Sequence, residues 1–316
     1  MENINEETQE FLEKLPEVNT ITAYGSGYFK QKDNEGKQLD LIVSVDNPND
    51  WHKENYELNP EMYKKSAKKG LKNLIDNRIY RQINFPKSLG CFYTDFKKRE
   101  FKLIVVDKRL LYDNLKTWNH LSLPGRFQKE MKVLVDNSDG VLPGLMKFNY
   151  ESATKAALLM YPGHLLNVGE YYKNIASLSY SGDIRTIIPY EDPNKIDNIV
   201  EGSQDFFEEN YGKSSEFYRK NDEIHKNENY ENKQLYNIIL TLPEGLKRYL
   251  LKHLQETDLE DPYLVAKIVK EFVFRRNLED SILLALRCNQ TVGKLKSKET
   301  RIEKHNKNKQ KVKKSI

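Results

Sequence analysis

The sequence predicts an α+β fold: a strand-bearing first domain, then a helical domain, then a basic C-terminal helix and tail. Three observations carry this. The runs Thr20-Ile21-Thr22-Ala23, Leu39 to Val45, Ser88 to Tyr93 and Phe101 to Val106 are short, rich in β-branched or apolar residues, and bounded by turn-forming or polar stretches. Beyond Asp107 the apolar residues recur at helical spacing, first at Leu110, Leu111, Leu115 and Trp118. Residues 294–316 hold ten Lys and Arg against two Glu, a surplus of eight that leaves the rest of the chain mildly acidic.

In chain order, Glu6 to Lys14 reads as a short helix with Phe11 and Leu12 turned inward, ended by Pro16. The strand Thr20 to Ala23 runs straight into Tyr24-Gly25-Ser26-Gly27, and the chain returns as the apolar strand Leu39 to Val45. Pro48 stops that strand, and Asn47-Pro48-Asn49-Asp50 opens a turn into Trp51-His52-Lys53-Glu54-Asn55. Met62 to Asn77 carries Ala67, Leu71, Leu74 and Ile75 at helical spacing under a basic face, the pattern of a surface helix. Two further strands follow around a polar turn at residues 97–100, and then a helix over 107–120, interrupted by Pro124-Gly125. A Gly- and Pro-bearing stretch, Asn137 to Gly144, marks a boundary. Tyr150 to Met160 and Val168 to Tyr180 read as helices, and Asp183-Ile184-Arg185 opens an apolar run. Residues 203–233 are polar and acidic, the composition of a flexible insert or a solvated helix. Leu235 to Leu254 and Pro262 to Arg287 are amphipathic helices. The expected division is residues 1–145, 146–245 and 246–316.

Composition bounds the function. A chain of 316 residues with 38% hydrophobic and 11% aromatic residues buries a real core. With 31% charged residues, no apolar run reaches the eighteen or so needed to span a bilayer. Cys91 and Cys288 are too few for a disulfide framework or a cysteine zinc site, which points to a reducing compartment. The start, Met1-Glu2-Asn3-Ile4-Asn5-Glu6-Glu7, is acidic and has neither the apolar core of a signal peptide nor the Arg-rich character of a transit peptide. The expected setting is therefore cytoplasmic.

The chemistry concentrates at residues 20–63. Small residues at Gly25-Ser26-Gly27 let the backbone approach a ligand, and N–H groups exposed in such a turn seat phosphate oxygens. Asp40, near the start of the next strand, is placed where a Mg²⁺ bridging nucleotide phosphates would sit. A glycine-serine turn, a short spacer and a strand with Asp form the outline of nucleotidyltransferases related to DNA polymerase beta. Such turns also occur as plain connections, and a lone strand Asp also occurs as a solvated edge residue, so these residues alone leave both readings open. That superfamily usually carries a second acid two positions later, where this chain has Ile42. Asp46 lies about 20 Å further along an extended strand, too far to share a metal with Asp40.

Taken in order, several segments resemble one family: Tyr24-Gly25-Ser26-Gly27-Tyr28-Phe29-Lys30-Gln31, Asp40-Leu41-Ile42, Pro48 with Trp51-His52, Asn55 and Tyr63, Pro124-Gly125-Arg126-Phe127-Gln128-Lys129, Leu178 to Arg185, and Asn194-Lys195 with Asn198-Ile199-Val200. The set, over roughly residues 20–200, is similar to the mitochondrial translocator assembly and maintenance family, the peripheral CDP-diacylglycerol synthases. The resemblance implies a polymerase-beta-like nucleotidyltransferase domain followed by a winged-helix-like domain, with the active site between them. It implies a Mg²⁺-dependent reaction of CTP with phosphatidic acid that gives CDP-diacylglycerol and pyrophosphate.

The implied roles attach to matching residues. Tyr24, Gly25 and Ser26 belong to the triphosphate-binding turn, Asp40 binds the metal, and Asp183 is the candidate second carboxylate. Lys102, Arg126, Lys129 and Arg185 are the cations that offset phosphate charge. The attacking phosphate is largely ionised at neutral pH, its second pKa lying near ~6. No strong base is needed, and His52 is left to bind nucleotide or to hydrogen-bond within its turn. Taken singly, Asp183 also reads as a helix N-cap, Arg126 and Lys129 as one solvated helix face, and Trp51 and Trp118 as core.

The basic tail suits an anionic membrane surface, which makes the expected protein peripheral on the inner face of the cell membrane, or on the matrix side in a mitochondrion. A nucleotidyltransferase with a non-lipid acceptor, or a non-catalytic nucleic-acid-binding protein, are the rival classes. The acidic body speaks against the second, and no specific nucleic acid is expected. Nothing in the sequence assigns an oligomeric state.

Overall fold

β2 (Leu39–Val45) is the spine of a five-stranded sheet ordered β3-β4-β2-β1-β5. β1 (Thr20–Tyr24) pairs with it antiparallel on one side and β4 (Phe101–Asp107) parallel on the other, with β3 (Cys91–Asp95) and β5 (Met131–Asp136) at the edges. The computed structural model describes residues 6–25, 39–60, 91–95, 101–187, 192–230 and 235–291. Leu41 to Val45 are all buried, which explains why this strand reads as a continuous apolar run and not as an alternation.

The chain packs as two compact units, Met1–Tyr112 with Met131–Leu142, and Asp113–Glu130 with Pro143–Ile316. In the first, the sheet packs with α1 (Glu6–Glu13) and α2 (Pro48–Leu58) around Phe11, Ile21, Leu41, Val43, Trp51, Leu103 and Val105. The expected turn at residues 47–50 is the N-terminus of α2. Asn47 caps it by accepting from the backbone N–H groups of Asn49 and Asp50, and Pro48 takes the first helical position. Pro48, Trp51, His52 and Asn55 form its buried face at helical spacing.

α3 (Lys108–Thr117) carries the chain into the second unit. There α4 (Pro124–Phe127) precedes β5, and α5 (Val141–Leu159), β6 (Leu165–Asn167) and α6 (Val168–Ser177) follow it. α7 (Ile184–Ile187), α8 (Lys195–Gly202) and α9 (Gln204–Tyr211) lead to the hairpin β7 (Phe217–Lys220) and β8 (Glu223–Lys226), which completes a sheet ordered β6-β8-β7. α10 (Leu235–Leu240), α11 (Glu244–His253) and α12 (Pro262–Thr291) close the unit. Its core gathers Trp118, Leu121, Tyr171, Phe207, Tyr211, Leu246, Leu250, Val269 and Phe272. Trp118 is fully buried and donates its indole N–H to Asn149 at 2.8 Å.

The architecture is α+β, with departures from the sequence expectation. β5 follows two helices and pairs with β1, so the strands do not all come first. Residues 203–230 are no solvated insert: Phe207 and Tyr211 are fully buried and Phe217 and Ile224 nearly so, because aromatic rings spaced among the acids supply the apolar face; residues 231–233 of that expected insert lie outside the described residues. The second unit takes in residues 113–130 as well as α11 and α12. The helix expected over 62–77, the turn at 97–100 and the tail 294–316 lie outside the described residues.

Candidate active site

In the first unit, the ends of β1, β2 and β4 bring three predicted residues together. Tyr24 is paired across the ladder with Asp40, and Asp40 with Lys102. The Lys102 ammonium lies 3.3 Å from Asp40 Oδ1, both side chains remaining partly exposed. Gly25 follows at φ +78°, and a Cβ there would come 3.3 Å from Asp40 Oδ2. Glycine therefore does two jobs: it takes a backbone conformation strained for other residues, and it leaves the second carboxylate oxygen uncrowded. Ser26 and Gly27 lie outside the described residues. Asp46, at the far end of β2, is exposed and ion-paired with Lys108.

Among the described residues no three or more His, Cys, Asp or Glu side chains come together to hold a metal. A single partly exposed carboxylate fits Mg²⁺, which commonly takes one or two protein carboxylates and completes its octahedron with substrate phosphates and water.

The second unit carries the other predicted cations. Arg126 lies in α4, which Pro124 and Gly125 open, and Lys129 just after it; Asp183 and Arg185 follow the turn at Ser181-Gly182. Arg126 donates to the carbonyl and the hydroxyl of Ser122. Lys129 is half-buried. It donates to Ser179 Oγ and sits 4.6 Å from the Tyr180 ring centroid. Burial, followed by repulsion from Arg126, Lys195 and Arg185, pulls its pKa well below the ordinary lysine value, while the charge of Asp183 acts in the opposite direction. Arg126, Arg185 and Lys195 thus add positive potential at Lys129, the sign of field that attracts anionic oxygens.

Asp183 is 6% exposed. It accepts from the backbone N–H of Arg185 at 2.8 Å and from the same residue's guanidinium at 2.6 Å. Burial alone would raise its pKa, but the Arg185 hydrogen bonds and charge, with Arg126 behind them, hold it below the usual aspartate value. His52 is buried in the first unit, edge-on to Trp51 at 5.1 Å, and burial depresses its pKa to about 3, so it is a neutral imidazole. Trp51 and Trp118 are both core.

The sequence reading had no role for Ser179, Tyr180, Asn277, Asp280 or Ser281. The last three are buried on α12. Asn277 donates to the carbonyls of Leu178 and Ser181, and Ser281 accepts from the N–H of Ile184. Asp280 accepts from the N–H groups of Leu121 and Ser122 and pairs with His120. One helix face thereby holds both turns that carry the cations. Their signal in the sequence is only a polar triplet in an amphipathic helix.

The family model described as phosphatidate cytidylyltransferase, mitochondrial (Tam41/Mmp37), matches residues 8–316. Among curated proteins, the chain is 32% identical over 203 residues to the phosphatidate cytidylyltransferase, mitochondrial, of Bos taurus, covering 62% of this chain and 58% of the relative. The Homo sapiens protein of the same name is also 32% identical over 203 residues, covering 62% of this chain and 43% of the relative. For the Schizosaccharomyces pombe protein the values are 32% over 202 residues, 61% and 49%. The chain therefore spans about half the length of the curated relatives it matches.

Proposed function

Because the chain belongs to the mitochondrial phosphatidate cytidylyltransferase family, we propose that it transfers a cytidylyl group from CTP to phosphatidic acid, giving CDP-diacylglycerol and pyrophosphate. The observation that carries this reading is the Asp40 carboxylate set between a positive-φ glycine turn and Lys102 at the ends of paired strands. In the proposed reaction a phosphate oxygen of the lipid attacks the α-phosphorus of CTP. A new P–O bond forms, the bond to the β-phosphate bridging oxygen breaks, and pyrophosphate leaves. The nucleophile is already an anion, so no side chain has to remove a proton.

The turn at Tyr24, Gly25 and Ser26 is assigned to the triphosphate. Asp40 would hold Mg²⁺, which when bound supplies charge neutralisation at the phosphates. Lys102 is proposed to orient Asp40 through their ion pair and to add positive charge beside the turn. Arg126, Lys129 and Arg185 are proposed to offset phosphate charge. Asp183, held here by Arg185, is proposed as the second carboxylate that would hold the ion. His52, buried and neutral, would act on the nucleotide by supporting α2 and not as a base. The mixed sheet carrying Asp40 supports a polymerase-beta-like assignment for the first unit, and helices joined to a three-stranded sheet support a winged-helix-like one for the second.

No helix among the described residues is long and apolar enough to cross a membrane. We propose peripheral attachment to an anionic surface through residues 294–316, where each Lys or Arg near the surface contributes about 1 kcal/mol. Removal of that segment should reduce co-sedimentation with anionic vesicles, and unchanged binding would exclude it as the anchor.

The deciding assay is pyrophosphate release from CTP and Mg²⁺, with and without phosphatidic acid vesicles. Turnover should need both substrates and fall about a hundredfold or more in Asp40→Ala. Release that is independent of lipid would move the acceptor to a non-lipid molecule.

A further inference from the structure

Whereas Arg185 is paired with Asp183, Lys129 makes no ion pair among the described residues. Its neighbours are a hydroxyl and an aromatic ring. A hydroxyl oxygen and a ring face both attract an ammonium without neutralising it, so the charge is oriented yet stays available to an incoming anion. The turn holding those two groups is itself fixed from both sides. On one side lies Gly125, where a Cβ would stand 2.3 Å from Ser179 Cβ, so that only glycine lets α4 approach this closely. On the other, Asn277 donates at 2.8 Å to the carbonyl of Leu178 and at 2.9 Å to that of Ser181, the two residues bracketing the Ser179-Tyr180 pair. Gly182, at φ +86°, then meets the backbone of Phe274, where a Cβ would lie 2.2 Å from the carbonyl oxygen. So much packing around one two-residue step exceeds what a plain connection between helices requires.

We infer that Ser179 and Tyr180 are positioning residues for Lys129: hydroxyl and ring together fix the ammonium within the cluster of Arg126, Arg185 and Lys195, and so set how well that cluster takes substrate phosphate. The inference deepens the proposed function and rests on it for the identity of the anion. It extends the reading of Leu178 to Arg185 from its charged end to its neutral residues.

The test compares Ser179→Ala, Tyr180→Leu and Tyr180→Phe in full-length protein, by steady-state pyrophosphate release and by the side-chain ammonium cross-peak of Lys129 in ¹⁵N-lysine-labelled protein. Lys129→Arg assigns that peak. An ammonium held by a hydroxyl and a ring exchanges its protons slowly enough to be seen. In Ser179→Ala and Tyr180→Leu the peak should broaden or vanish and kcat/KM should fall about tenfold, the size expected from losing one charged hydrogen bond or one desolvated cation–π contact. Tyr180→Phe keeps the ring and should retain both peak and most activity. Wild-type peak and kcat/KM in both Ser179→Ala and Tyr180→Leu overturn the inference, and so does a Tyr180→Phe as impaired as Tyr180→Leu. Absence of phosphatidate-dependent turnover in the wild type would count against the proposed reaction alone, since the ammonium signal still decides the positioning.

Discussion

Acidification should destabilise this protein through His52. The imidazole is buried in the first unit, and its pKa is depressed from an ordinary 6.5 to about 3 by that burial. The folded-state value lies below the unfolded one, so between those limits the unfolded chain binds the extra proton. Stability is therefore full above about pH 6.5 and is lost as pH falls towards 3. At pH 5 an unfolded histidine is almost wholly protonated and the folded one almost wholly neutral, a linkage cost of about 2 kcal/mol, against about 0.2 kcal/mol at pH 7. Urea denaturation of wild type and His52→Gln at both pH values isolates the effect, because other titrating groups cancel in the difference. Trp51, whose ring lies 5.1 Å from the imidazole, gives the fluorescence signal. The wild type's advantage over His52→Gln should shrink by about 2 kcal/mol from pH 7 to pH 5. An unchanged gap would refute the claim that the imidazole is held neutral by burial.

Three further outcomes follow from single positions. Gly25→Ala forces a methyl group into a φ of +78° and to 3.3 Å from Asp40 Oδ2; it should cost about 1–2 kcal/mol in urea denaturation and lose most pyrophosphate release. Gly182→Ala meets backbone and not a movable side chain, at 2.2 Å from the Phe274 carbonyl oxygen, so thermal unfolding should show a loss of about 3 kcal/mol or more. Asp280→Ala strands the buried N–H groups of Leu121 and Ser122 and the His120 ring, and should cost about 3 kcal/mol. Asp280→Asn, which keeps an acceptor, should recover part of that loss in the same denaturation experiment.

The strands β1, β2 and β4 were legible because burial on a sheet demands β-branched and apolar runs, and those runs stand out between polar turns. α2 was not, because its buried face is Pro48, Trp51, His52 and Asn55, half of it polar and headed by a residue that usually ends elements. The cap supplied by Asn47 turns that proline from a stop into a start. β5 was missed because it is a half-exposed edge strand whose burial does not alternate. In residues 203–233 the acids dominated the composition, while the fold was decided by Phe207, Tyr211 and Phe217 meeting a core built mostly from other parts of the chain.

The sequence by itself determined the α+β class, the glycine turn followed by a strand carboxylate, and the family to which the ordered motifs belong. These are local facts, set by propensity, by glycine's access to positive φ and by residue types at short spacing. Tertiary structure alone decided that Lys102 lies against Asp40, that Lys129 rests on Ser179 and Tyr180, and that Asn277, Asp280 and Ser281 face inward. His120 and Asp280 are 160 positions apart in the chain, and Asn277 is 99 from Leu178. On a helix read alone a polar triplet has water as its partner. It becomes a set of buried acceptors and donors only when the fold brings it the backbone groups of turns that would otherwise be left unpaired.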